Sequence, residues 1–156
     1  MSDLVVHPSH YADFKYECWN VYSSVLRCKK YTPEIGATIS NSIKYSWRMD
    51  SKSGDYGKNQ NQKNIEDMRK TNQYIDKTIE NVGDRKFEPS HYDGEYNINE
   101  VLDSVLSSKS YSDEIKDCMR NVLFCLFMAG DENYPLVETL LIAKENSSKV
   151  IELLSE

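Results

Sequence analysis

Residues 32–49 read Thr-Pro-Glu-Ile-Gly-Ala-Thr-Ile-Ser-Asn-Ser-Ile-Lys-Tyr-Ser-Trp-Arg-Met. This stretch predicts a helix with its start written into it. Thr32 can cap the first turn through its hydroxyl. Pro33 suits the first helical position, where its missing N–H is no loss. Glu34 sits near the positive end of the helix dipole. With Ile35 at 0°, a helix of about 100° per residue puts Ile39, Ile43 and Trp47 at about 40°, 80° and 120°. That is one apolar face.

Outward from this helix the pattern continues. Residues 13–29 read as a helix carrying Phe14, Trp19, Val21, Tyr22, Val25 and Leu26, joined through Lys29-Lys30-Tyr31. Residues 50–62 are almost devoid of apolar side chains and predict a loop. A third helix is expected over 63–82, carried by Ile65, Met68, Ile75, Ile79 and Val82 and stopped by Gly83-Asp84.

The chain then repeats itself. Pro8-Ser9-His10-Tyr11 recurs as Pro89-Ser90-His91-Tyr92. After a one-residue gap, the register holds at an offset of 80. Ser24-Val25-Leu26 meets Ser104-Val105-Leu106, and Lys29, Tyr31, Glu34 and Ile35 meet Lys109, Tyr111, Glu114 and Ile115. Thr32 becomes Ser112, another good cap. A shorter loop, Gly130 to Pro135, precedes a last helix expected over 136–155. The reading is an internal duplication. The expected fold is all-α, with two related three-helix units, residues 1–83 and 84–156, packed as an internal pseudo-dimer.

Composition narrows the function. The 156 residues carry a net charge of −6, which speaks against a binder of long nucleic acid. The charge is uneven. Residues 1–80 hold 12 Lys and Arg against 10 Asp and Glu, whereas residues 81–156 hold 7 against 15. The longest apolar run, Val122 to Ala129, is far short of the roughly 20 residues of a membrane span. No signal peptide is legible, and the expected location is the cytoplasm. Cys18, Cys28, Cys118 and Cys125 form no Cys-x-x-Cys pair and read as reduced thiols. Three histidines give no zinc-ligand spacing, so neither metal nor cofactor is expected.

Opposite the apolar face of the 33–49 helix stand Asn41, Lys44, Tyr45 and Arg48, at about 240°, 180°, 280° and 220°. An amide, an ammonium, a phenol and a guanidinium without a carboxylate suit an anionic, ring-bearing ligand. In the second unit the apolar face persists as Ile115, Met119, Leu123 and Phe127. The opposite face becomes Asn121, Phe124, Cys125 and Met128. A helix apolar on both sides is normally buried, so this copy reads as scaffold and interface.

Several motifs now stand together: His7-Pro8-Ser9-His10-Tyr11, Glu17, Asn41-Ser42-Ile43-Lys44-Tyr45-Ser46-Trp47-Arg48 and Asp67-Met68-Arg69-Lys70-Thr71-Asn72-Gln73-Tyr74. In them the first unit resembles the SaV-like family of small phage proteins, over about residues 5–80. The second unit departs from the motif at the positions of Lys44, Tyr45 and Arg48. The resemblance implies a phage protein acting in the host cytoplasm and a homo-oligomer. The family includes a nucleoside monophosphate kinase without a P-loop and a protein named for making phage sensitive to an abortive-infection system.

Three functions are weighed. The first is a phage accessory protein that binds a nucleotide-type anion and sequesters a host defence signal. Its site would be Asn41, Lys44, Tyr45 and Arg48, covered by His10 and Tyr11 and closed by Lys70 and Tyr74. The second is a nucleoside monophosphate kinase, although no Gly-x-x-x-x-Gly-Lys-Ser/Thr loop occurs. The third is a protein-interaction inhibitor of a host defence enzyme acting through the acidic second half. The first reading needs binding alone, and catalytic residues are not assigned.

Overall fold

The computed structural model describes residues 16–50 and 59–156. His10 and Tyr11 therefore lie outside the described residues. Among the described residues six helices run in order: α1 (Cys18–Leu26), α2 (Pro33–Arg48), α3 (Gln60–Val82), α4 (Ile98–Ser107), α5 (Asp113–Met128) and α6 (Leu136–Ser155). The architecture is all-α. No helix among the described residues is long and apolar enough to cross a membrane.

Helix α2 starts as its sequence dictates. Thr32 accepts from the Ile35 N–H at 3.3 Å with Pro33 in the first turn, and Ser112 does the same for Ile115 at the start of α5. Thr32→Ala and Ser112→Ala are each expected to cost about 1 kcal/mol, read as a lowered denaturation midpoint. Helix α3 begins at Gln60, three residues ahead of the expected position. Asn59 and Gln62 form a reciprocal capping box, so a wholly polar turn is helical. Helix α1 is shorter than expected at its C-terminal end. Cys28 and Lys29 donate three residues back, to the Val25 and Leu26 carbonyls, and this tightens the chain out of the helix.

The apolar faces do what their spacing requires. Ile35, Ile39, Ile43 and Trp47 are completely buried, as are Met119, Leu123 and Phe127. Trp47 and Phe127, paired by the repeat register, meet edge-on with ring centroids 6.3 Å apart. Tyr22 packs against Phe127 from α1 and donates its hydroxyl to the Gly36 carbonyl at 2.7 Å. Small polar side chains let α2 and α3 approach closely. Ser42 donates to the Thr71 carbonyl at 3.2 Å, and Thr78 donates to the Thr38 hydroxyl at 2.6 Å. Helices α3 and α6 join the two halves through Ser147 to the Met68 carbonyl and Lys144 to Asp76.

The second half also grips the end of α2. Lys109, 5% exposed, donates its ammonium to the Trp47 and Met49 carbonyls at 2.8 and 2.7 Å. These are orphan acceptors of a helix terminus, where a cation is favoured. Asp50 follows at φ 67°, and its carboxylate accepts from the Ser110 N–H and hydroxyl. Gly130 takes the matching place after α5 at φ 94°, in the left-handed region that glycine enters freely. The second Pro-Ser-His-Tyr copy clasps this turn. Ser90 donates its N–H to the Gly130 carbonyl at 2.9 Å and its hydroxyl to Asp131 at 2.8 Å. That is a structural role; the first copy lies outside the described residues.

Burial makes stability pH-dependent. It lowers Lys29 and Lys109 to about 8 from 10.5, against the pull of Asp131 and Asp50 respectively. Between these values the unfolded chain holds more protons, so stability rises with pH there. Burial pushes the Cys18 thiol up to about 12 from 9.0, and raises Cys118, Cys125, Tyr22, Tyr31 and Tyr111. Those groups lose their protons first in the unfolded chain, so stability falls as pH climbs past their ordinary values. Thermal melts from pH 7 to 11 are expected to peak at about pH 9. A monotonic fall from pH 7 would contradict the lysine assignment.

Candidate functional site

The polar side chains of α2 do not all face the same neighbour. Tyr45 turns towards α3 and stacks on Tyr74, with ring centroids 5.9 Å apart and planes 10° from parallel. Three cations gather over the Tyr45 ring. The Arg48 guanidinium lies 4.7 Å from its centroid, the Lys70 ammonium 5.1 Å and the Lys44 ammonium 5.9 Å. Lys77 extends the row, 5.0 Å from the Tyr74 ring. All lie within the range where a cation feels the negative face of an aromatic ring.

Arg48 is anchored from below. Its guanidinium meets the Asp67 carboxylate at 3.4 Å, and the two side chains are only 12% and 3% exposed. Burial raises the Asp67 carboxyl, while Arg48, Lys63 and Lys70 pull it down. Among the described residues, Arg48, Lys63 and Lys70 all act on this one carboxylate, a cationic balance that suits an anion. Lys44 and Lys77 are exposed, and Lys70, Tyr45 and Tyr74 are half-buried, so the stripe is open to solvent on one side.

Five of the expected site residues therefore come together: Lys44, Tyr45, Arg48, Lys70 and Tyr74. Asn41 does not join them. It lines the groove between α1 and α2 with Trp19, Ala37 and Ser40. Lys77 and Asp67 are not among the residues expected from sequence for the ligand site. The signal for both was present: Asp67, Lys70, Tyr74 and Lys77 recur at i, i+3, i+7 and i+10, one face of a helix. In the second half the stripe is replaced by apolar groups. Cys125 is buried, Met128 is half-buried and Phe124 meets Tyr134 edge-on at 5.3 Å.

Residues 5–76 match the model of a family described as a protein of unknown function, DUF3310. No curated protein and no solved structure matches the chain. The DUF3310 match spans α1, α2 and most of α3, so Tyr45, Arg48, Asp67, Lys70 and Tyr74 all fall inside it. Lys77 and the whole second half fall outside.

Proposed function

We propose that the α2–α3 stripe binds an anionic small molecule of nucleotide type, and that the protein holds this ligand rather than converting it. One observation carries the reading: Arg48, Lys70 and Lys44 converge on the ring of Tyr45. Packing three cations together is unfavourable in the absence of an anion. A phosphate group accepts from guanidinium and ammonium donors at once. The resemblance to SaV-like phage proteins supports a phage setting, in which a bound nucleotide would be a host defence signal withdrawn from use.

Calorimetry with nucleoside mono- and triphosphates and with cyclic nucleotides tests this. Binding with 1:1 stoichiometry per chain is expected for at least one class. Ligand released by heating and recovered unchanged supports sequestration. Conversion of a monophosphate to a diphosphate in the presence of a triphosphate would make the protein a kinase. No heat from any nucleotide at high protein concentration would end the reading.

A further inference from the structure

The stripe holds an anion but leaves a ring without a place. Tyr45 already stacks on Tyr74 and carries three cations within 5.9 Å of its centroid, so it is not an open stacking surface. The neighbouring groove between α1 and α2 is open. It has a volume of about 570 Å³ and is lined by Trp19, Leu26, Pro33, Ala37, Ser40 and Asn41 among others. That is within the usual range for a small-molecule site. Trp19 is 64% exposed, the most exposed large hydrophobic side chain described. Ala37 and Ser40 are small and leave room beside it, and Asn41 offers an amide with both donors and an acceptor.

The second half builds the corresponding groove differently. The matching surface between α4 and α5 is lined by Asp103, Lys116, Asp117 and Arg120. There Arg120 pairs with Asp103 across the groove. Ala37 and Ser40 correspond to Asp117 and Arg120 at the offset of 80. The apolar, tryptophan-walled version occurs on the half that carries the cationic stripe. The two features are neighbours along α2. Lys44 lies three residues beyond Asn41 on α2, about 4.5 Å along the helix axis.

Resting on the nucleotide reading above, we propose that the α1–α2 groove is the base subsite, with the nucleobase stacked on Trp19 and its edge read by Asn41. The phosphate then lies over Lys44 and Arg48, and the sugar bridges the two along α2.

The test uses the full chain and fluorescence beside calorimetry. Its two tryptophans are Trp19 and Trp47, and Trp47 is fully buried, so ligand-dependent emission reports on Trp19. The probes are the four nucleoside monophosphates, with ribose 5-phosphate as the ringless control. Nucleoside monophosphates are expected to quench the emission and to bind at least about tenfold more tightly than ribose 5-phosphate, the usual worth of one stacked base. Trp19→Ala, a surface change, should erase that advantage and leave ribose 5-phosphate affinity unchanged. Asn41→Ala should narrow the differences among the four bases. Equal calorimetric binding of nucleotides to the wild type and Trp19→Ala, without quenching, would overturn the base subsite and leave the anion site standing. Silence from every phosphate compound would overturn the nucleotide reading itself.

Discussion

Trp47→Ala is expected to remove a large share of the stability of the protein. Trp47 is completely buried and touches Phe127 of the other half edge-on. Truncating a buried tryptophan costs about 3–5 kcal/mol, through lost transfer energy and the cavity left behind. Native domains hold only about 5–15 kcal/mol in total. The residue also follows Ser46 and precedes Arg48, so a collapse here reaches the cationic stripe. Urea denaturation followed by circular dichroism reads the loss. Trp47→Phe, which keeps an aromatic ring in contact with Phe127, should cost clearly less. Equal midpoints for Trp47→Ala and the wild type would mean that the two halves do not share a core.

The second large effect is on binding. Arg48→Ala should weaken nucleotide affinity by about 10- to 100-fold, the worth of one charge-assisted contact. It should also destabilise the fold, because it strands the Asp67 carboxylate, whose side chain is 3% exposed. Breaking a buried pair costs about 3–5 kcal/mol, less here because Lys63 and Lys70 also act on Asp67. Adding Asp67→Asn removes the stranded charge. The double variant is therefore expected to regain stability without regaining affinity. Recovery of both together would show that Arg48 serves only the fold. Calorimetry and thermal melts on the three proteins separate the two effects.

Much of this fold is legible in one dimension. The cap at Thr32, the proline after it and the four-residue spacing of Ile35, Ile39, Ile43 and Trp47 all specify α2 and its buried face. The start of α3 is not legible from apolar spacing, because its first turn is held by the polar pair Asn59 and Gln62. The site divides along the same line. A helical wheel groups Asn41 with Tyr45 and Arg48, since they lie within about 60° of one another. It cannot show that α1 and α3 flank this face, so that Asn41 meets one neighbour and Tyr45 the other. That Asp67 pairs with Arg48 likewise takes information from a second helix. Trp19 counts as core by hydrophobicity, and only its exposure reveals the groove.

The bonds from Lys109 to the Trp47 and Met49 carbonyls have a consequence for where such a chain can be cut. At the positions of Lys44, Tyr45 and Arg48 the second half carries Phe124, Cys125 and Met128. Yet its lysine finishes the helix that presents Arg48. A chain cut after α3 would leave those carbonyls without the Lys109 ammonium. The second half thus takes part in the shape of the first through main-chain contacts that no inventory of ligand-facing residues would include.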